Sequence, residues 1–161
     1  MSYALSDVHT HYDETVFDTD RDAVLTEMHR KGVELIINSG SSVPSSKRSV
    51  ILAHQHDFVW ASVGVFPLEA YTVEADWLEQ IAALADDERA VAIGEIGLDY
   101  FQPDADRAAQ ERVFIPQLEL AQTMQLPVVI HDRDADEDMI RTLRNHPASG
   151  MIHRFFSKAR Y

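Results

Sequence analysis

The sequence predicts an α/β fold built of repeated βα units around a parallel sheet. Three observations carry that expectation. Six short apolar runs lack the strict alternation of a half-solvated strand, as strands buried on both faces do. Stretches of helical periodicity separate them, so strand and helix alternate along the 161 residues. Polar residues able to do chemistry follow directly on the apolar runs, which is where barrel enzymes carry theirs. The first two observations suit an open doubly wound sheet as well as a TIM-barrel-type (β/α) repeat, and the third favours the barrel.

Strands are expected over residues 3–8, 33–39, 58–65, 90–98, 127–131 and 150–155. The first helix, over 20–31, places Val24, Leu25 and Met28 on one side and stops at Gly32, the residue type favoured just past a helix end. A second follows Pro44 behind a serine-rich start and carries Val50, Ile51 and Leu52 toward the next strand. Over 73–87, the spacing of Trp77, Leu78, Ile81 and Leu84 fits an amphipathic helix with one stripe on the sheet. A longer helix over 105–125 gathers Phe114, Leu118 and Ala121 on one face, and Pro116, which lacks an amide hydrogen, is expected to kink it. The last, over 136–145, presents Met139, Ile140 and Leu143 and ends before Pro147.

No break in composition divides the chain, so residues 1–161 are expected to form a single domain. With 14 basic against 27 acidic side chains the formal charge is −13, which argues against passive nucleic-acid binding through Lys and Arg. An acidic cleft that holds divalent cations can nonetheless receive a phosphodiester. Without cysteine there are no disulfides and no thiolate metal sites, so a metal would need histidine and carboxylate, and there are eight histidines. No run approaches the ~18–20 apolar residues of a membrane helix, and the start lacks a basic segment before an apolar core. A cytoplasmic location away from the membrane is the expectation.

The first strand runs into Asp7-Val8-His9-Thr10-His11, where period two sends His9 and His11 to one side of the chain. His54-Gln55-His56 has the same spacing but sits where a helix runs out, at the opposite rim, and reads as surface, as do His29 and His146. The fourth run, Val91-Ala92-Ile93-Gly94-Glu95-Ile96-Gly97-Leu98-Asp99-Tyr100, buries a carboxylate, which is costly unless it is paired. Gly94 and Gly97 beside it allow close approach of backbone or ligand. Asp99 serves either the site or a following turn. The fifth run ends His131-Asp132-Arg133 and the sixth holds His153. Four histidines and one glutamate thus fall at the C-terminal ends of four expected strands, a set that suits zinc, manganese or a similar ion. A bridging Glu95 would hold two.

These segments resemble the TatD-type metal-dependent deoxyribonucleases, part of the amidohydrolase-like group of barrel hydrolases. The resemblance covers residues 6–157. Besides the two motifs just quoted it includes Gly64-Val65-Phe66-Pro67, the helix pattern Gln110, Phe114, Gln117, Leu118, Leu120 and Ala121, and Pro127-Val128-Val129-Ile130-His131-Asp132-Arg133-Asp134-Ala135. It implies a (β/α)-barrel hydrolase in which His9, His11, Glu95, His131 and His153 hold two divalent ions (Zn, Mn or Mg). Glu95 would bridge them and share in catalysis. The implied reaction is cleavage of DNA phosphodiesters by metal-activated water. Arg133 is the candidate partner for a phosphate oxygen, the alternative being an ion pair at the rim.

Two departures qualify that expectation. Phe66 stands where such proteins usually carry histidine. A complete barrel also takes about 250 residues, so roughly 90 are wanting and the repeat is expected to be incomplete, about six of eight βα units. An aspartate that the family supplies after a later strand has no counterpart by motif, and after His153 the chain reads Arg154-Phe155-Phe156-Ser157-Lys158. A homo-oligomer or a partner chain is therefore expected to cover the open edge. The alternatives are a weakly active or inactive relative acting as a metal-binding or assembly module, and a phosphatase or amide hydrolase of a related barrel family.

Overall fold

The computed structural model describes residues 4–155. Six strands, β1 (Leu5–Thr10), β2 (Val33–Ser39), β3 (Val59–Val63), β4 (Ala90–Asp99), β5 (Val128–Arg133) and β6 (Gly150–Phe155), form one sheet. Each pairs in parallel with the next, in the order β1-β2-β3-β4-β5-β6. A doubly wound sheet would reverse its order at a switch point. Here the order never reverses, and the sheet is a curled, incomplete barrel. Helices α1 (Arg21–Arg30), α2 (Val43–Gln55), α3 (Trp77–Ala85), α4 (Arg107–Met124) and α5 (Asp136–Asn145) occupy the crossovers. Short 3-10 turns at Thr15–Phe17 and Pro67–Glu69 follow β1 and β3.

Every expected element is present, and the differences lie at the ends. Strands β1, β4 and β5 run further toward their C-termini than the apolar pattern alone suggests, so His9, Asp99 and Arg133 lie within regular strand. Helix α3 starts at Trp77, four residues later than periodicity indicates. Pro116 lies inside α4, which runs on through it as one helix of 18 residues. Among the described residues no helix is long and apolar enough to cross a membrane.

The core lies between sheet and helices. Ile36, Val59, Ile93, Ile96, Leu98 and Ile130 from the strands meet Leu25, Ile81, Phe114 and Leu118 from the helices, all of them buried. Each contributes about 1.5–3 kcal/mol of hydrophobic stabilisation. Strand β4 is buried throughout except at Val91, as a strand covered on both faces must be.

Two buried glutamines of α4 tie this core to the upper rim. Gln110 accepts from the Asp99 amide (2.8 Å) and donates to the Asp99 carbonyl (2.8 Å). Gln117 accepts from the Val65 amide (2.7 Å) and donates to the Val65 carbonyl (3.2 Å). Each amide side chain thereby satisfies backbone groups that leave the sheet ladder at the end of β4 and in the loop after β3.

Candidate functional site

The site forms where the register of β4 is broken. Gly94 pairs with Val129 and Ile96 with Ile130, which leaves Glu95 as an extra residue in β4. Such a bulge re-aims the side chain it carries. The Glu95 amide donates instead to the Gly40 carbonyl beyond β2 (2.8 Å), across the inside of the curl. The flanking glycines serve the backbone, not a ligand. A Cβ on Gly94 would lie 2.6 Å from the Val129 Cβ, and at Gly97, whose φ is +139°, it would collide with the His131 carbonyl oxygen. Strands β4 and β5 thus approach closely enough to set Glu95 and His131 side by side.

Glu95 is almost fully buried and gathers the histidines. Its Oε2 lies 3.1 Å from His9 Nε2 and 3.5 Å from His11 Nε2, and its Oε1 lies 3.2 Å from His131 Nδ1. The rings of His9 and His153 meet edge to face with centroids 4.6 Å apart. A cavity of about 310 Å³ is lined by His9, His11, Phe66, Glu95, His131 and His153. The structure therefore brings together all five residues that the sequence singles out as ligand candidates. It adds Phe66, whose ring packs edge to face on His131 at 4.7 Å. Arg133 is not part of that lining: it is half-buried at the end of β5, with its guanidinium carbon 3.6 Å from the Phe101 ring centroid.

Two imidazoles have their tautomers set from behind. The Ser39 carbonyl, 2.8 Å from His11 Nδ1, can only accept, so Nδ1 carries hydrogen and, in the neutral ring, Nε2 turns its lone pair to the cavity. The Asp99 carboxylate, 2.9 Å from His131 Nε2, does the same for His131 and leaves Nδ1 facing Glu95. The segment that carries His9 and His11 is clamped by Asn38, which is fully buried at the end of β2. Asn38 Oδ1 accepts from the Tyr12 amide (2.6 Å) and lies 3.3 Å from the Thr10 hydroxyl. Its Nδ2 donates to Asp13 Oδ1 (2.9 Å) and Ser49 Oγ (2.8 Å), while Ser45 donates to Asp13 Oδ2 (2.6 Å).

Burial works against a charge on Glu95, but the hydrogen bonds that His11, His131 and His9 donate when protonated outweigh it and hold its carboxyl well below the usual carboxylate range. The hydrogen bond to Glu95 raises the His11 pKa against the opposing effect of burial, whereas burial lowers that of His153. The donor set fits a divalent cation. Ligand atoms of His9, His11 and Glu95 all lie within 4.8 Å of one another, and His9 Nδ1 is buried without a hydrogen-bond partner among the described residues. Imidazole nitrogen with carboxylate oxygen suits zinc, manganese and related ions.

Asp99, whose place in the sequence suits either the site or a following turn, serves both. Its Oδ1 accepts from the Phe101 amide (3.0 Å) while Oδ2 holds His131. The signal was its place four residues after Glu95 in the same strand, two pleats along. Asn38 and Asp13 were missed, although a buried asparagine closing the run Ile36-Ile37 is an available sign. The pair His54 and His56 lies apart from the cavity, near Asp87 (2.9 Å) and Asp22 (3.2 Å) at the opposite rim.

Comparison with known proteins agrees with this geometry. The chain is 34% identical over 158 residues to the uncharacterized metal-dependent hydrolase YabD of Bacillus subtilis, covering 96% of this chain and 62% of that protein. It is 37% identical over 119 residues to the 3'-5' ssDNA/RNA exonuclease TatD of Cronobacter turicensis, covering 74% of this chain and 45% of that protein. Among solved structures it superposes on the TatD homolog YJJV of Escherichia coli K12 with a TM-score of 0.89 at 29% identity, over 99% of this chain and 62% of that one. The chain thus spans about half to three-fifths of the length of these relatives. A profile of the TatD related DNase family matches residues 6–161, from the segment that leads into His9 past the strand that carries His153, and the chain belongs to that family.

Proposed function

We propose that the chain carries the metal-binding site of a hydrolase that cleaves phosphodiester bonds in DNA, with RNA a second substrate by analogy to the Cronobacter relative. One observation carries the reading: four histidines and a buried glutamate from four strands line one cavity, with the tautomers of His11 and His131 set by Ser39 and Asp99. His9, His11, Glu95, His131 and His153 would hold one or two divalent ions, Zn, Mn or Mg. When bound, such ions lower the pKa of water to make a nucleophile near neutral pH and offset charge on the attacked phosphate.

The chain's own groups prepare the cavity. Glu95 stays ionised and gives it negative charge, while Asp99 and Ser39 hold the hydrogen on the far nitrogens of His131 and His11, so that in the neutral rings the facing nitrogens aim lone pairs inward. Phe66 covers one side of His131 and keeps water from it. Arg133, two residues past His131 on the same face of β5, is proposed to meet a phosphate oxygen nearer the mouth. Among the described residues strand β1 has a neighbour on one side only and exposes Leu5 and Val8, which supports a second copy or a partner chain as cover for that edge.

The test is hydrolysis of single- and double-stranded DNA, and of RNA, with Mn, Mg or Zn, comparing wild type with Glu95→Ala. Loss of cleavage in the variant supports the reading, and equal rates overturn it. A metal-binding module without turnover is the second reading. It is favoured by the fact that Glu95 is the only carboxylate among the described residues lining the cavity. Tight metal retention without cleavage of any of these substrates would select it.

A further inference from the structure

The nuclease reading leaves open how an acidic chain grips a polyanion. With a formal charge of −13, broad neutralisation of phosphates is not available, so the grip must come from elsewhere. Phe101 offers a means. It lies two residues past the end of β4 at the rim that holds the cavity and is 44% exposed, large for an aromatic ring. Its amide donates to Asp99 Oδ1 (3.0 Å), and Asp99 Oδ2 holds His131, so the ring is tethered to a wall of the site through a single carboxylate. The Arg133 guanidinium lies over it with its carbon 3.6 Å from the ring centroid, and the Tyr100 amide donates to the Arg133 carbonyl (2.8 Å). Arg133 lies two residues past His131, about 6–7 Å further toward the mouth on the same face of β5. Val16 and Tyr71, in the segments after β1 and β3, are also exposed at this rim, but among the described residues no cation lies over them in the same way.

From this placement we propose that Phe101, stacked on Arg133, is the platform on which an unpaired nucleobase beside the scissile phosphate rests. The inference depends on the nuclease reading and deepens it, since it assigns the grip to a π-face instead of to charge. Every base has such a face, so the platform tolerates any sequence, yet a base locked in a duplex cannot reach it. The cation behind Phe101 holds the ring in place before substrate arrives, and its charge lies next to the phosphate that follows the stacked base.

The test is a double-mutant cycle read by fluorescence anisotropy of a short labelled oligothymidylate in Ca2+, for wild type, Phe101→Ala, Phe101→Leu and Phe101→Trp. A matched series of oligonucleotides carries one abasic residue at each position in turn. Phe101→Ala and Phe101→Leu are expected to weaken binding about tenfold, the scale of losing one base–aromatic stack, and Phe101→Trp to restore it. One abasic position is expected to weaken the wild type by a similar factor and to cost Phe101→Ala nothing more, a coupling that a purely structural role would not produce. If Phe101→Ala binds as tightly as wild type, or if the two losses multiply at every position, the platform is refuted and the hydrolase reading stands. Should wild type neither bind nor cleave single strands with any of the metals, the nuclease reading falls and the platform with it.

Discussion

A buried carboxylate surrounded by imidazoles is stable only if each partner's proton is accounted for, and at Glu95 the accounting runs through Asp99 and Ser39. An acceptor behind each ring decides which nitrogen faces the cavity. Asp99→Asn keeps the shape but removes the charge and permits the wrong tautomer of His131. It is expected to lower affinity for Mn or Zn about 10- to 100-fold by titration calorimetry. An unchanged affinity would show that Asp99 serves only the turn at Phe101. At this scale the ligand candidates were legible, because histidine and glutamate at strand ends are chemically conspicuous. Asp99 was half legible, since a carboxylate at a strand end also reads as a turn residue. Asn38 was not, because its work is to satisfy Thr10, Tyr12 and Asp13, partners up to 28 residues distant that only the parallel pairing of β1 and β2 brings near.

Among elements, the ends of strands are controlled by side chains from their neighbours. Asn38→Ala strands several buried groups in the turn after β1, at about 1–3 kcal/mol for each one left unpaired. The expected result is a loss of about 3 kcal/mol in urea unfolding together with weaker metal binding, because that turn carries His11. A comparable stability loss from Leu25→Ala, a core site on α1 remote from the turn, is expected to leave metal affinity unchanged. Gly97→Ala meets both an unfavourable φ and the His131 carbonyl, and a loss of at least about 2 kcal/mol is expected by the same measurement. Element identity was readable from periodicity, which reports burial. Element ends were less so: β1, β4 and β5 continue past their apolar runs because the inside of the curl is lined with polar side chains that break the hydrophobic pattern without breaking the strand.

At the scale of the whole molecule, a cation bound by residues from β1, β4, β5 and β6 would link segments far apart in the chain, and a ligand that favours the native state stabilises it by mass action. Saturating Mn or Zn at about 100 times its Kd is expected to raise Tm by roughly 5–10 °C, and EDTA to reverse the shift. No shift with any divalent ion would argue against a metal centre. If substrate is held by stacking, the logarithm of its affinity should fall only shallowly with that of salt concentration, about one unit per phosphate contacted, whereas a steep slope would point to unrecognised basic contacts. The sequential strand order was foreshadowed by where the polar residues fall, whereas periodicity alone left two topologies open. Helix α4 adds a constraint of another kind. Gln110 and Gln117 are seven residues apart, close to two helical turns, and one holds the end of β4 while the other holds the loop after β3. Inserting or deleting one residue between them would swing one amide about 100° around the helix axis and release either Asp99 or Val65. Added length in an exposed loop costs a chain little, but this stretch of helix works as a ruler whose divisions cannot be moved.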